Sequence, residues 1–574
     1  MKAVDPVSSV SSPGPREELI LSRPLTEVSL GLCLCILTLG MQLQGLNRSF
    51  WLDEVWIANA VTEPTFSKMV YYEGWLNVNP PLFLILVRFV SRLFGISHES
   101  MRVVPVLFGL LSVPMMLYLA LRFFSIWYAA GAVLLVSLSP AFVVAARSLK
   151  PYTADVFVAL ALLILGYQFL RTRARKALYF GIGAYSLCGF LSYQAVVFIP
   201  IFFYGACVDR RPIESLLRGR NEISVRWLDV LFLLAVTLVV SATNYFLFVK
   251  PNSEPTLEAY WTGDFYHGAS VAEFSWYFVR KLSGLTVPFF FVDRFYPQLG
   301  MVALAIMIVG VLGFLIRSDV GVPEKPRGTD VVLLLTLPIL GLAILNLLKL
   351  YPMPSAAARL VLFVSPVVSL VFISGIQSIV RAGTLFARKI ISAHWITARI
   401  EVILPPVVFA AIVFLFGLSL LLAGPLPYFG AEPREDARAA VDYLAKGHSE
   451  RDVLYVHSSM REHYKFYSRS RPINRGRVVI GNIGWPCCPR AYVSDKGLNP
   501  DIVIGTEIQR LNLSSQDQKL RLLLTERKGH WLDIGRDDSS EFKIRLERIG
   551  CVRTHVEVFW GVRIDEYVCQ TSNQ

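Results

Sequence analysis

Two adjacent carboxylates, Asp53 and Glu54, are the first residues of the sequence with an evident capacity for chemistry. They directly follow the first long apolar segment and are surrounded by the aromatic residues Phe50, Trp51 and Trp56. Aromatic rings favour the headgroup level of a membrane, and partial loss of water there raises the pKa of a carboxyl group and suits it to proton abstraction. On local spacing alone, it is equally reasonable that the two residues only cap a short surface helix.

A second motif runs from Arg147 to Asp155, where two apolar segments meet, and includes Lys150 and Tyr152. Arg147 and Lys150 are cations at headgroup depth, where they can bind a phosphate group. For either cation alone, the competing interpretation is a side chain that extends toward lipid headgroups. Asp155 lies one turn inside an apolar segment, where a carboxylate is costly unless it is paired or functional. We expect Lys150 or Arg147 to be its partner.

The composition predicts that both motifs belong to a polytopic membrane protein. Of 574 residues, 54% are hydrophobic, and they occur in blocks of about 20, enough to cross the hydrocarbon core of a bilayer. The net charge of +13 resides mostly in short loops between these blocks. That distribution is typical of cytoplasmic loops and argues against a nucleic-acid partner.

About eleven candidate spans position the motifs. They are residues 26–46, 102–121, 126–146, 152–170, 177–190, 192–207, 228–249, 299–316, 330–349, 357–380 and 401–424. Basic loops follow the fourth, sixth, eighth and tenth spans, and positive charge predicts that these loops are cytoplasmic. With the N-terminus inside, the region after the last span is then external.

The span count predicts a polar tail, a membrane domain and two long external loops. Residues 1–25 are rich in proline and serine and are predicted to be a disordered cytoplasmic tail, and residues 26–427 form the membrane domain. The external loops cover 47–100 and about 250–298. Each contains an apolar stretch broken by charges, at 80–97 and 276–296, which predicts a helix lying in the membrane interface.

Residues 428–574 are predicted to form an external α/β domain, because strand-like and helix-like stretches alternate there. The strand-like runs are 453–456, 478–480, 502–504 and 531–534, and the helical stretches are 435–446, 460–468 and 514–527. Two further runs, 553–559 and 562–568, are predicted to pair as a hairpin.

The hairpin is flanked by Cys551 and Cys569, and an external location permits a disulfide between them. The adjacent Cys487 and Cys488 are alternative partners for either cysteine. Their spacing is not that of a metal site. No cofactor is assigned from the sequence, and a divalent metal ion stays open.

An ordered set of motifs resembles the C-type membrane glycosyltransferases, in the branch of protein O-mannosyltransferases and lipid A aminoarabinose transferases. The set consists of Asp53-Glu54, Asn79-Pro80-Pro81-Leu82-Phe83, Leu93-Phe94-Gly95, Met101-Arg102-Val103-Val104-Pro105 and Lys150-Pro151-Tyr152. The resemblance covers residues 26–170. It continues more weakly at Tyr351-Pro352, Arg359 and Pro366.

The resemblance implies transfer of a sugar from a polyprenyl-phosphate donor to a hydroxyl of a lipid, glycan or protein acceptor. It implies that Asp53 is the general base and that Glu54 is its neighbour or orienter. With a single displacement, we expect the sugar's configuration to invert. The resemblance makes Arg102, Lys150 and Arg359 phosphate-binding candidates beside Arg147. Tyr152 and Asp155 are then residues of the second motif.

Two departures from the family pattern concern the acceptor and the phosphate. Relatives often carry an acidic residue where this chain has Ser148 or Leu149, so Asp155 supplies that charge or the acceptor differs. They often carry His or Lys where this chain has Asn79, which weakens the case for a phosphate contact in the first loop.

The predicted location is an integral membrane protein of a bacterial inner membrane, in contact with membrane lipids, with residues 428–574 periplasmic or extracellular. Two alternatives belong to other functional classes. A transporter or flippase of lipid-linked sugars generally has charges at the midplane and repeated halves, which the sequence does not display. A catalytically inactive scaffold relative would bind a partner through the C-terminal domain.

Labelling of single cysteines tests the predicted topology. A cysteine at Ser215, in a basic loop, should be reached only from the cytoplasmic side, and one at Ser470 only from the external side. The measurement is modification by a membrane-impermeant thiol reagent in a cysteine-free background. Modification of both positions from one side contradicts the scheme of about eleven spans.

Overall fold

Helices occupy most of the chain up to residue 414, and a mixed sheet follows. The computed structural model describes residues 15–73, 78–207, 227–253, 261–268, 270–290, 297–316, 326–353, 358–390, 403–414, 436–447, 449–470, 476–481, 500–513, 518–525 and 538–569. The first helices are α1 (Pro15–Leu43), α2 (Leu52–Val61), α3 (Phe66–Val70), α4 (Pro81–Phe94), α5 (His98–Ala120), α6 (Ile126–Ser137), α7 (Pro140–Ala146) and α8 (Tyr152–Thr172). The helix α1 begins before the predicted end of the tail at residue 25, so residues 15–25 are helical.

The later helices of this region are interspersed with short 3-10 segments. They are α9 (Arg175–Cys188), α10 (Ile199–Cys207), α11 (Trp227–Thr243), α12 (Val271–Phe290), α13 (Pro297–Ile316), α14 (Gly328–Leu347), α15 (Ser365–Ile390) and α16 (Ile403–Phe414). A 3-10 segment, Tyr193–Phe198, precedes α10, and another, Ala358–Val364, precedes α15.

Several of these helices can cross a bilayer. Within the described residues, six stretches combine sufficient length and apolar character: Leu25–Leu43, His98–Ala120, Tyr152–Thr172, Trp227–Asn252, Gly328–Leu347 and Arg359–Phe386. The pair α6 and α7, bent by 59°, can form a seventh span. The bend falls at Pro140, because proline is favoured in a first helical turn but lacks the N–H that would continue α6. The count of about eleven spans stays a prediction.

Ion pairs mark the end of the bundle opposite Tyr152. The helix α8 is about 30 Å long, so Arg173 at its far end is about a membrane thickness from Tyr152. Arg173 pairs with Asp330 at 2.9 Å, and Arg175 pairs with Asp229 at 3.2 Å. Both carboxylates are buried in apolar helices, where pairing lowers the cost of a charge. The bundle therefore has two chemically distinct ends.

The helix α4 has the amphipathic character predicted for residues 80–97. It buries Phe83, Leu84 and Val87 against the bundle and leaves Phe89 and Leu93 exposed. An apolar exposed face is typical of a helix in contact with a membrane surface. The second predicted interfacial stretch lies largely in α12, and its end at residues 291–296 is outside the described part.

The C-terminal region contains five strands and four helices among its described residues. The strands are β1 (Val453–Val456), β2 (Arg477–Ile480), β3 (Gln518–Thr525), β4 (Cys551–Phe559) and β5 (Val562–Cys569), in the order β2-β1-β3-β5-β4. The strand β1 is parallel to β2 and β3, whereas β5 is antiparallel to β3 and β4. The helices are α17 (Ala437–Gly447), α18 (Arg461–Tyr467), α19 (Pro500–Leu511) and α20 (Asp538–Arg548).

Two sequence predictions for this region are wrong. Residues 502–504, predicted as a strand, lie in α19, and the predicted helix at 514–527 contains the strand β3. A short apolar run fits either a strand or a buried helix. The strand β3 sits between two neighbours, and this tertiary position overrides the helix propensity of its leucines. The predicted strand 531–534 lies outside the described residues.

The C-terminal domain packs against the first long loop. Asn59 of α2 donates hydrogen bonds to the carbonyl and carboxylate of Glu462 in α18 at 2.9 and 3.0 Å. Lys465 of the same helix pairs with Glu63 at 3.2 Å. The two regions share one hydrophobic cluster, which includes Trp56 and Phe466. The domain therefore lies on the same side of the bundle as α2.

The hairpin of β4 and β5 carries a disulfide. Cys551 and Cys569 are directly opposite in the antiparallel pair and are bonded to each other. This pairing confirms the predicted Cys551–Cys569 bridge. The alternative partners, Cys487 and Cys488, are outside the described residues.

Loss of this disulfide should destabilise the C-terminal domain. Replacing Cys551 and Cys569 together by serine should lower the free energy of unfolding by about 3 kcal/mol, the cost expected for a closed loop of this length. Thermal unfolding of the purified protein measures the change. Replacing Cys33 and Cys207, which are free and exposed, is the matched control. Non-reducing peptide maps without a Cys551–Cys569 peptide contradict the pairing.

Candidate active site

A buried ion pair between Glu54 and Arg102 lies at the centre of the site. Glu54 is in the first turn of α2, Arg102 is in the second turn of α5, and both side chains are fully buried. Arg102 donates from Nε and Nη2 to the two carboxylate oxygens at 3.0 and 2.7 Å. The bidentate geometry fixes the direction of both side chains.

Arg102 also holds the loop that leads into α2. Its Nη1 donates to the carbonyls of Leu46 and Arg48 at 2.6 and 2.8 Å, and its Nη2 donates to the carbonyl of Ser49 at 3.4 Å. With the two bonds to Glu54, these contacts use all five N–H donors of a guanidinium group. The geometry therefore gives Arg102 a structural role and leaves it no donor for a substrate phosphate.

Glu54 is saturated with hydrogen bonds in the same way. Besides Arg102, the backbone N–H groups of Leu149 and Trp51 donate to its carboxylate at 2.7 and 3.3 Å. Burial raises the pKa of Glu54, but the charges of Arg102 and Arg48 and the hydrogen bonds outweigh it, so the pKa lies below its ordinary value. The expected increase in pKa is therefore wrong for Glu54. This carboxylate stays ionised and has little capacity to accept a further proton.

Asp53 lies one residue earlier on α2 and points to different partners. Its side chain is 18% exposed, and its Oδ2 is 3.6 Å from Nη2 of Arg359. The guanidinium carbon of Arg359 lies 5.1 Å from the centre of the Trp51 ring, a cation–π distance. Asp53 is therefore the accessible carboxylate of the pair and has a cation beside it.

Lys150 is the second cation near Asp53. It is 3% exposed and lies in the turn between α7 and α8. Burial lowers the pKa of Lys150 to about 8, although the charge of Asp53 opposes this shift and that of Arg359 adds to it. Its Nζ forms no hydrogen bond or ion pair with any residue that the structure describes. An ammonium group in such surroundings is suited to bind an anion.

Tyr152 connects this cluster to the interior of the bundle. Arg359 donates a hydrogen bond to its hydroxyl. Tyr152 also interacts electrostatically with Tyr351. Tyr351 donates to the carbonyl of Leu360 at 2.6 Å and accepts from Gln194 at 2.8 Å. Asp53, Arg359, Lys150 and Tyr152 thus form one group.

Asp155 and Arg147 are both buried, and the charge of Asp155 acts on Tyr152 and Tyr351. The expected ion pair of Asp155 with Lys150 or Arg147 is absent from the described residues, and Asp155 is hydrogen-bonded to Ser192 instead. Arg147 donates from Nε to the carbonyl of Met41 at 2.9 Å. Burial, with the charge of Arg48 as a second cause, lowers the pKa of Arg147 to about 10. Arg147 therefore ties the second motif to the end of α1.

Several residues of the site were missed by the sequence analysis. Ser192 and Gln194 lie between the fifth and sixth predicted spans or at the start of the sixth, and Arg48 lies just after the first span, and none of them was selected as a site residue. Polar residues at the ends of apolar segments were the available signal for all three. The sequence around Tyr467, in the C-terminal domain, gives no such signal, because the contact of Tyr467 with Phe50 joins residues far apart in the chain.

No group of three or more His, Cys, Asp or Glu side chains that could hold a metal ion occurs within the described ranges. The charges near Asp53 come from Arg359 and Lys150. These two cations are the groups beside Asp53 that can stabilise negative charge.

Comparison with known proteins gives one family match. The sequence profile of dolichyl-phosphate-mannose-protein mannosyltransferases matches residues 57–178. This match confirms the resemblance to membrane glycosyltransferases indicated by the motifs. It includes Arg102, Lys150 and Tyr152, whereas Asp53 and Arg359 lie outside it. No curated protein matches the sequence.

Two solved structures have a similar arrangement. The crystal structure of ArnT from Cupriavidus metallidurans in the apo state is 13% identical, with a TM-score of 0.48, over 96% of this chain and 98% of that chain. That of the same protein bound to undecaprenyl phosphate is 13% identical, with a TM-score of 0.49, over 95% of this chain and 98% of that chain.

Breaking the buried ion pair should destabilise the protein. Glu54→Gln leaves the charge of Arg102 buried and uncompensated, and loss of one partner of such a pair costs about 3–5 kcal/mol. Thermal unfolding in detergent measures the loss. The control is Glu63→Gln, which removes a partly exposed pair with Lys465 and should cost at most about 1 kcal/mol. Equal melting temperatures for Glu54→Gln and wild type contradict the structural role.

The stabilising effect of Glu54 should also depend on pH. Because its folded-state pKa lies below the ordinary value of 4.5, its contribution is present above that value and is lost as the pH falls through the lowered one. The difference in melting temperature between wild type and Glu54→Gln should therefore shrink on acidification below pH 4.5. A difference that grows under acidic conditions contradicts the direction of the shift.

Proposed function

We propose that this protein is a membrane glycosyltransferase that moves a sugar from a polyprenyl-phosphate donor to an acceptor hydroxyl. The observation that carries the proposal is the cluster in which Asp53 lies beside two cations, Arg359 and Lys150. The matching family supports the same chemistry, since its description names a dolichyl-phosphate sugar as donor. A carboxylate and two cations are the groups that such a transfer needs.

Asp53 is the general base of the proposed reaction. Its partial exposure allows an acceptor hydroxyl to approach, whereas the neighbouring Glu54 is buried and accepts four hydrogen bonds. A positioned carboxylate that removes a proton during attack accelerates such reactions by about 10²–10⁴-fold. Glu54 acts as the orienter of the first turn of α2, the second of the two roles expected for it.

Lys150 and Arg359 bind the donor phosphate. The guanidinium group of Arg359 can contact two phosphate oxygens, and Lys150 contributes a point charge with unused donors. Negative charge on the phosphate grows as the sugar leaves, so these cations stabilise the transition state more than the bound donor. Tyr152 orients Arg359 through its hydrogen bond.

The reaction is a single displacement. Asp53 takes the proton of the acceptor hydroxyl while that oxygen forms a bond to the anomeric carbon. The bond from the anomeric carbon to the phosphate oxygen breaks, and its electron pair leaves with the polyprenyl phosphate. Attack from the side opposite the leaving group inverts the configuration of the sugar, which the anomeric signals of the product report by NMR.

The proposed setting is a bacterial inner membrane, with the site and the C-terminal domain on the periplasmic side. A donor anchored in lipid reaches Lys150 from the bilayer, and a lipid, glycan or protein acceptor arrives from the aqueous side. Contact between the C-terminal domain and α2 supports a common side for both. A flippase or a scaffold relative is the alternative, and sugar transfer by the purified protein excludes both.

Replacement of the base tests the central assignment. Asp53→Asn keeps the size of the side chain but removes its basicity, so turnover should fall by about 10²–10⁴-fold, with a smaller change in the Michaelis constant for the donor. The assay measures transfer from a purified polyprenyl-phosphate sugar. Glu63→Gln, at the end of the same helical region, is the control and should transfer normally. Near-normal turnover of Asp53→Asn removes Asp53 from the role of base.

The pH dependence of donor use tests Lys150. Because its pKa in the free protein is lowered to about 8, Lys150 loses its charge as the pH rises past that value, and kcat/KM for the donor should then fall. Lys150→Arg keeps its charge at higher pH and should lack this decline. Lys150→Ala should bind the donor weakly throughout the range. If Lys150→Ala has an unchanged KM and kcat, Lys150 does not bind the donor phosphate.

A further inference from the structure

The helix α18 of the C-terminal domain contacts the backbone immediately before the proposed base. The hydroxyl of Tyr467 accepts a hydrogen bond from the backbone N–H of Phe50 at 2.8 Å, and it lies 3.0 Å from Nε2 of His98. One hydroxyl of this domain therefore joins the loop before α2 to the first turn of α5. Phe50 is fully buried, so its N–H depends on this acceptor.

Aromatic contacts extend the connection to the central ion pair. The rings of Tyr467 and His98 stack with centroids 5.6 Å apart, and those of His98 and Phe50 are 4.6 Å apart. The guanidinium carbon of Arg102 lies 4.7 Å from the centre of the Phe50 ring. Arg102 in turn binds Glu54, the residue next to Asp53.

A second hydrogen-bonded contact holds the preceding residue. Ser49 donates from its hydroxyl to Oδ1 of Asp436 at 2.9 Å, and the same hydroxyl accepts from the backbone N–H of Arg438 at 3.2 Å. Both partners lie at the start of α17, in the C-terminal domain. The domain thus holds two consecutive residues, Ser49 and Phe50.

We infer that the C-terminal domain positions the catalytic base, with Tyr467 as the principal positioning residue. The inference rests on the proposed function of Asp53. Asp53 lies in the first turn of α2. Tyr467 holds the backbone that enters this turn, and Asp436 holds the side chain of Ser49 one residue earlier. A base displaced by about 1 Å loses about 10²-fold in rate, so a contact of this kind affects turnover without touching the substrate.

The test compares two tyrosines of α18. Tyr467→Phe keeps the ring but removes the acceptor for Phe50, so kcat should fall about tenfold or more, while KM for the donor stays about the same. Tyr464→Phe is the matched control, since the Tyr464 hydroxyl forms no hydrogen bond within the described part of the chain, and it should behave like wild type. Equal kcat values for both variants and wild type overturn the inference.

A double variant separates positioning of Asp53 from a general structural effect. In an Asp53→Asn background, Tyr467→Phe should cause no further loss of turnover, because its effect passes through the carboxylate that is already gone. A loss as large as in the wild-type background shows that Tyr467 acts independently and overturns the inference. Normal turnover in Asp53→Asn alone is a different result, since it removes the base assignment and the inference with it.

Hydrogen exchange gives a readout that does not depend on activity. Tyr467→Phe should raise amide exchange in residues 46–55 and leave exchange in α8 unchanged, whereas Tyr464→Phe should change neither. Ser49→Ala, which removes the contact with Asp436, should raise exchange in the same residues and lower kcat with a similar KM. Unchanged exchange in both Tyr467→Phe and Ser49→Ala overturns the proposed positioning.

Discussion

The buried ion pair of Glu54 and Arg102 is the constraint on which the rest of the site depends. A charge in this environment is costly, and the pair is tolerable because every donor of Arg102 and four acceptor positions of Glu54 are used. The pair and its partners come from the loop before α2 together with the first turn of α2, from α5, and from the turn before α8. One pair therefore joins three segments that are distant in sequence, and the alignment of both motifs follows from it.

This arrangement gives the adjacent carboxylates Asp53 and Glu54 different partners and different exposure. Successive residues of a helix point about 100° apart, so Glu54 faces Arg102 while Asp53 faces Arg359 and the accessible side. The sequence predicted that the pair Asp53-Glu54 matters and favoured Asp53 as the base. It could not separate their environments, because the groups that lower the pKa of Glu54 include Arg102 and Leu149, and only the tertiary fold brings them to α2.

The sequence predicts an element of the fold when its signal is local, and fails when the element depends on tertiary contacts. Long apolar segments specify helices by themselves, since each bonds its own backbone, and α5, α8 and α14 lie close to their predicted positions. In the C-terminal domain, the secondary structure of residues 518–525 and of residues 500–511 depends on the elements that pack against them. The hairpin was predictable because alternation and two flanking cysteines are local signals. The contact of Tyr467 with Phe50 had no such signal, since each residue is unremarkable within its own segment.

The balance of charge around Asp53 explains why a phosphate leaving group suits the site. A polyprenyl-phosphate sugar has one negative charge, and the phosphate gains a second as the sugar departs. Lys150 and Arg359 are two cations near a single accessible carboxylate, because Glu54 is already neutralised by Arg102. In the proposed reaction, Asp53 loses its own charge once it accepts the acceptor's proton, and both cations then face the phosphate alone. Under this proposal, proton transfer to Asp53 strengthens the field on the leaving group at the moment when its charge grows, so the proposed base and the proposed phosphate-binding cations act as one electrostatic unit.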